Sequence, residues 1–261
     1  MSPDKDEAER AMRLTGHRVL ITGGASGIGL GLARAFHARG NQVAVAGRSA
    51  ERLAHAAEQL PGLVTVRADL AVRGEAESLL EDAVTLLGGL TILVNNAGIQ
   101  YRHDYLTDAP VDILREVRSE IAVNVEALVT LSIQALPLLR TAEESAIVNI
   151  SSILAFAPKR SAPVYCASKA AVHSFTRALR YQVQEGAPHL RIVDVQPPAV
   201  DTPMTAGRGR TEDKLTVDQV TAGILAGLTR DAEEIPLGRT RSTRWLLRVA
   251  PQWVFRRLRD A

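Results

Sequence analysis

Cysteine is nearly absent: Cys166 stands alone in 261 residues. An internal disulfide is therefore excluded, and the chain suits a reducing cytoplasm. The six histidines, at positions 17, 37, 55, 103, 173 and 189, show no ligand spacing, so no metal site is expected. The N-terminal "MSPDKDEAERAMRL" lacks an apolar segment and does not read as a secretory signal. The longest apolar stretch, Ile121 to Leu139, is broken by Asn124, Glu126 and Gln134, so no membrane span is expected. No GxSxG elbow occurs, which argues against a hydrolase triad. Net charge is only +2, which argues against bulk nucleic-acid binding.

Short β-branched runs alternate with longer helical patterns. Strands are expected over 17–22, 41–47, 63–70, 90–98, 145–152, 190–198 and 233–237. Helices are expected over 27–40, 50–60, 72–87, 109–139, 163–185 and 216–229. Such alternation predicts a parallel sheet covered on both faces. The acidic residues up to about 15 read as a loose extension, 16–240 as one domain, and 241–261 as a basic tail. Asn149-Ile150-Ser151 matches a glycosylation sequon but falls inside a strand-like run.

"TGGASGIG" (22–29) joins the first strand to the first helix. Gly23, Gly27 and Gly29 sit where the chain must turn tightly and approach a ligand. The helix N-terminus behind them offers free N–H groups and a positive dipole end to a pyrophosphate. The acidic residue that usually holds a ribose 2′-hydroxyl is missing after the second strand. Arg48 stands there instead, and its guanidinium suits a 2′-phosphate, so NADP(H) is favoured over NAD(H). Asp69, after the third strand, can reach the adenine amine or cap the next helix.

"SSILAFAPKRSAPVYCASK" (151–169) brings Ser152, Tyr165 and Lys169 into one segment. Tyr165 and Lys169 are i and i+4 on one helix and share a face. A free tyrosine has a pKa of about 10, and a nearby ammonium lowers it by ~1–3 units, which makes the phenol a usable acid and base. Ser152, at a strand end beside the cleft, can hold a carbonyl oxygen against the tyrosine.

In these motifs, with "NNAG" (95–98), Asn124 and "NISS" (149–152) in order and spacing, the chain resembles the short-chain dehydrogenase/reductase family over about 17–240. Its 250-residue form fits, in a bacterial branch labelled DltE-like. The resemblance implies a Rossmann-type doubly wound seven-stranded parallel sheet with strand order 3-2-1-4-5-6-7. It implies Ser152, Tyr165, Lys169 and Asn124 as a catalytic tetrad, with Asn124 supporting a water between Lys169 and solvent. Lys169 would also hold the nicotinamide ribose, and Asn95 would stabilise the sheet. Further cofactor contacts are implied at Gly23, Ser26, Gly27, Ile28, Gly29, Leu70, Asn96, Ala97, Gly98, Pro197, Val200 and Thr202, beside Arg48, Asp69 and Tyr165. Two departures stand out: Pro197-Pro198 where Pro-Gly is frequent, and Ala127 where Gly is common.

A pocket lined by Ile99, Gln100, Tyr101, Ile153, Leu154, Phe156, Pro198, Ala199, Val200 and Met204 is mostly apolar and suits a lipophilic ketone, aldehyde or alcohol. A carbonyl reductase is therefore expected, with a non-catalytic NADPH-binding regulator as the other reading. Cys166 reads as a packing residue. A homodimer or homotetramer is expected by the resemblance, through helices at 109–139 and 163–185.

Charge is unevenly spread. Residues 239–261 hold seven arginines and one aspartate, net +6, while the remainder holds 24 basic and 28 acidic residues, net −4. Both tryptophans are in this tail. Trp245, Leu246, Val249, Trp253, Val254 and Leu258 recur at near-helical spacing, and Pro251 should split the tail into two short helices. Packing of this face on its own domain or a partner subunit is the favoured expectation, with contact to an anionic membrane surface as the other reading.

Overall fold

The computed structural model describes residues 11–207 and 211–260. Seven strands form one sheet: β1 (Arg18–Thr22), β2 (Gln42–Gly47), β3 (Val64–Arg67), β4 (Ile92–Asn95), β5 (Ser145–Ile150), β6 (Leu190–Gln196) and β7 (Glu234–Pro236). Their order is β3-β2-β1-β4-β5-β6-β7, and every pairing is parallel. The order reverses between β1 and β4, which is where open α/β sheets bind ligands.

The helices are α1 (Gly27–His37), α2 (Ala50–Gln59), α3 (Glu75–Leu87), α4 (Pro110–Ile121), α5 (Ala127–Leu139), α6 (Pro163–Gly186), α7 (Val217–Thr229), α8 (Thr240–Val249) and α9 (Pro251–Leu258). Alternate residues of β1 point to opposite faces. Val19 and Ile21 join α1, α2 and α7 through Leu32, Phe36, Leu53 and Ile224. Leu20 joins α3, α5 and α6 through Leu79, Leu131 and Leu179. A fully buried side chain of this size contributes roughly 1.5–3 kcal/mol, so both faces anchor the sheet. The close approach of α1 to α7 depends on Gly31, where a Cβ would meet Val217 Cγ1 at 2.5 Å.

The sequence predicts one helix over 109–139. The structure divides it into α4 and α5 around a π-turn, Ala122–Glu126, that carries Asn124. A wider turn of this kind aims a side chain that a regular helix would carry elsewhere. The stretch Pro110–Leu139 is long and apolar enough to cross a bilayer by length and composition. Leu128, Leu131, Ala135 and Leu139 nonetheless lie in the core of this domain.

Two other expectations are trimmed. The helix expected from 72 begins at Glu75, because Gly74 holds φ +89 before it. The loose extension expected over 1–15 is shortened, since Met12 is buried in the core and Arg13 pairs with Glu144 at 3.3 Å. Residues 1–10 of that extension lie outside the described residues. Asn149, in the sequon, is fully buried and donates to Thr176 Oγ1 at 2.9 Å.

Candidate active site

A cleft of about 390 Å³ runs across the carboxyl ends of the strands near the order reversal. Gly23, Ser26, Arg48, Asp69, Leu70, Ala97 and Gly98, all expected from the sequence, line it. The glycine loop explains its shape. Gly23 and Gly27 hold φ +62 and +52, a region that side chains rarely adopt. A Cβ on Gly29 would lie 2.3 Å from the Gly23 carbonyl oxygen and 2.6 Å from Asn96 Nδ2. Gly29 therefore serves close packing. Ser26 precedes α1 without a side-chain capping bond, which leaves the first N–H groups of that helix open to a ligand. Such a cradle fits the pyrophosphate of a dinucleotide.

Asn96 is tied into the same loop. Its amide donates to the carbonyls of Thr22 (2.9 Å) and Gly23 (3.2 Å), so it staples the end of β4 to the glycine turn. Asn95 donates to Ser132 Oγ at 3.0 Å and Asn149 Oδ1 at 2.9 Å, crossing the sheet beneath the site. Ile28 is half-buried on α1 and packs against the core. Thr202 lies against Gly27, whose added Cβ would meet Thr202 Cγ2 at 3.1 Å. Pro197 accepts from Ile153 N at 3.0 Å. Val200 is buried, in a bridge to Leu215.

Arg48 is exposed at the rim of the cleft, just past β2. Arg52, one turn along on α2, lines the same rim. Arg52 belongs to no motif in the sequence; its spacing of four from Arg48 is the only local signal for it. Asp69 Oδ1 accepts from Ala71 N at 3.1 Å, closing a local turn that fixes its carboxylate at the cleft.

The tetrad positions come from three elements. Ser152 stands just beyond β5 and caps the short helix Ile153–Ala155, accepting from Leu154 N at 3.1 Å. Tyr165 and Lys169 lie on α6. Asn124 comes from the π-turn and is locked by three hydrogen bonds. Its Oδ1 accepts from Ile99 N at 2.8 Å, and its amide donates to Ile99 O (2.9 Å) and Ser168 Oγ (3.0 Å). Ser168 in turn donates to Tyr165 O at 2.8 Å. A Cβ on Gly98 would find Asn124 Oδ1 at 3.4 Å and Lys169 Nζ at 3.6 Å, so these three converge.

The Lys169 ammonium is buried and donates to Ile150 O at 2.7 Å. Burial pushes its pKa down to about 8, against the pull of Asp194 and Glu120. Both acids escaped sequence analysis because neither belongs to a local motif. Asp194, on β6, is held by Ser151 Oγ (2.5 Å), His173 Nδ1 (2.6 Å) and Gln196 Nε2 (2.7 Å). Glu120, one turn before Asn124, is buried, and its Oε1 has no hydrogen-bond partner among the described residues. Burial raises its pKa to about 7, against the Tyr101 backbone hydrogen bond, the charge of His103 and that of Lys169. His103 lies 3.0 Å from Glu116 and 3.4 Å from Asp108, a file of titratable groups.

Of the expected substrate-pocket residues, Ile153 is buried, while Phe156 packs edge-on against His173 with centroids 4.7 Å apart. Arg244 of the tail covers the Phe156 ring at 5.0 Å. Cys166 is buried, and burial raises its pKa, as suits a packing thiol. No cluster of histidine, cysteine and acidic residues able to hold a metal occurs among the described residues.

Known proteins are similar to this chain. The family model for short chain dehydrogenase matches residues 17–213. The uncharacterised oxidoreductase DltE of Bacillus subtilis (strain 168) is 40% identical over 228 residues, 86% of this chain and 89% of that protein. A short chain dehydrogenase from Burkholderia cenocepacia J2315, in complex with NADP, superposes with a TM-score of 0.81 at 26% identity, over 95% of this chain and 99% of that one. A 3-ketoacyl-(acyl-carrier-protein) reductase from Brucella melitensis, complexed with NADH, gives 0.77 at 26% identity, over 87% and 100%. With the matched model spanning most of its length and a parallel seven-stranded sheet of the same kind, this chain belongs to the short-chain dehydrogenase family of oxidoreductases.

Proposed function

We propose that the protein interconverts a lipophilic carbonyl compound and its alcohol, using NADP(H). The convergence of Asn124, Gly98 and the Lys169 ammonium beside Tyr165 carries this reading. The glycine loop and the open N-terminus of α1 would hold the pyrophosphate, and Asp69 the adenine. Arg48 and Arg52 would clamp a 2′-phosphate, and Thr202, Pro197 and Val200 would border the nicotinamide. NAD(H) is the competing cofactor, since relatives of this fold are bound to either kind.

When bound there, the nicotinamide supplies or accepts the hydride. The chain's own residues handle the proton. Ser152 Oγ orients the substrate oxygen, and the Tyr165 hydroxyl donates to it during reduction. Lys169 holds its ammonium near Tyr165 and stabilises the phenolate that results. Asn124 fixes the wall beside Lys169 through its bonds to Ile99 and Ser168, so the ammonium stays aimed while the proton is replaced.

A cytoplasmic setting fits the lone buried cysteine. Pairing of two chains is supported by exposed Val111, Leu114, Ile121 and Ile133 on α4 and α5, with Tyr181 on α6.

The test is a panel of lipophilic ketones and aldehydes assayed for NADPH oxidation with the wild type and Tyr165→Phe. Turnover that disappears in the variant while NADPH still binds supports the reading. Tight NADPH binding with no turnover on any compound would favour a regulatory protein instead.

A further inference from the structure

The tail turns an unusual face to solvent. In α8, Thr240 is buried and Arg244 and Leu247 are half-buried against the domain, whereas Arg241, Trp245, Arg248 and Val249 face outward. In α9, Val254 is buried and Leu258 half-buried, while Trp253, Phe255, Arg256 and Arg257 are exposed. Trp245 is 62% exposed, Val249 61% and Trp253 54%.

The sequence pattern puts these tryptophans and the aliphatic residues on one apolar stripe. The structure separates them: Val254 goes in and Leu246 and Leu258 are half-buried, while Val249 and both tryptophans come out. Packing on the domain is real, through Arg244 to Glu234 (2.5 Å) and Arg160 to Asp260 (3.2 Å). It leaves both indoles more than half exposed. An ordinary soluble helix buries tryptophan first, because no other side chain removes more apolar area from water.

The charge on that outer face is all of one sign. Asp260 is the only acid in the tail, and it is occupied by Arg160 and Arg259. Arg241, Arg248, Arg256 and Arg257 have no ion pair among the described residues. Arg241, Arg244 and Arg248 ring Trp245 and Pro236 around a shallow depression. Aromatic side chains interleaved with guanidinium groups, most of them without an acidic partner among the described residues, match the layered chemistry of an anionic bilayer, apolar below and phosphate above. A second copy of the same basic face would instead repel it.

We propose that the outer faces of α8 and α9 dock the protein peripherally on an anionic membrane surface, with Trp245 and Trp253 entering the headgroup layer. This reading stands apart from the catalytic one and needs no substrate to test. Because both tryptophans of the protein lie here, its intrinsic tryptophan fluorescence reports on this face alone.

The full chain is mixed with vesicles of phosphatidylcholine, with and without phosphatidylglycerol, and followed by tryptophan emission and flotation. A blue shift and co-flotation with the anionic vesicles, weakened by high salt, are expected. The double variant Arg241→Gln/Arg248→Gln, which changes only exposed side chains, should bind at least about tenfold more weakly. Trp253→Ser should also weaken flotation. Absence of binding to anionic vesicles overturns the proposal, as does equal binding to neutral ones or undiminished binding by the variants. A blue shift without lipid, rising with protein concentration alongside a doubled mass in light scattering, would assign the face to a second copy and overturn it as well.

Discussion

The Lys169 Nζ lies 5.7 Å from the centroid of the Tyr165 ring, on the same face of α6, and is held there by the carbonyl of Ile150. That hydrogen bond restrains the ammonium beside the phenol. Lys169→Met should lower kcat by about a hundredfold or more, in line with loss of a positioned acid–base system. In the alcohol-oxidation direction, where the phenolate is the base, the rate of the variant should recover toward high pH as the phenol ionises unaided. In the wild type the support fades above about pH 8, as the ammonium itself loses its proton. A pH–rate profile identical in both proteins would exclude this role.

Glu120 makes stability depend on pH. Burial pushes its carboxyl up to about 7, from an ordinary value of 4.5. A folded pKa raised above the unfolded one means that the native state holds the proton more tightly. Its contribution is present below pH 4.5 and is lost as pH rises through 7. The loss is at most about 3 kcal/mol, from the cost per pKa unit. Glu120→Gln keeps the shape without the charge, so its Tm should rise relative to wild type between pH 5 and 8. A Tm difference that stays constant across that range would contradict the assignment.

Much of this was legible beforehand. Chain order, strand number and the parallel sheet followed from the alternation of β-branched and helical runs, and the glycine loop, Ser152, Tyr165 and Lys169 from local spacing. Asp194 and Glu120 were not legible. Each acts on Lys169 across a gap of 25 or more residues in sequence, and burial, which shifts their protonation, is a property of packing alone. The π-turn at Asn124 was hidden for a different reason: its residues read as ordinary helix formers, and the Asn124 bonds to Ile99 and Ser168 span 25 and 44 residues of sequence.

Arg48 and Arg52 are expected to set cofactor choice together. Arg48→Asp should weaken NADPH binding by roughly tenfold to a hundredfold, the range for a charge-assisted hydrogen bond, and improve NADH. Arg52→Ala should weaken NADPH less and leave NADH unchanged. Calorimetric titration with each cofactor measures both. Equal wild-type affinity for NADPH and NADH would remove the argument.

The glycine loop separates packing from ligand binding. Gly29→Ala places a methyl 2.3 Å from the Gly23 carbonyl oxygen, a contact that only backbone movement can relieve. It should cost about 1–3 kcal/mol in chemical denaturation and weaken both cofactors alike. Unchanged stability with selective loss of one cofactor would instead place Gly29 against the ligand.

Arg244 ties the tail to the domain through Glu234. Burial alone would raise that carboxyl, but hydrogen bonds from Arg177 and Arg244 and their charges hold it down to about 2. A folded pKa below the unfolded one gives stability that is present above about 4.5 and lost as pH falls through 2. Arg244→Gln removes one of the two cations, so the folded pKa moves back up and the acid-dependent part of stability shrinks from a ceiling of roughly 3 kcal/mol. The same change uncovers Phe156, because the guanidinium no longer lies over its ring. The variant should therefore unfold at a higher pH than wild type in acid titration, and should raise KM for a lipophilic carbonyl more than it lowers kcat. An unaltered acid midpoint together with an unaltered KM would show that Arg244 neither anchors the tail nor shapes the pocket.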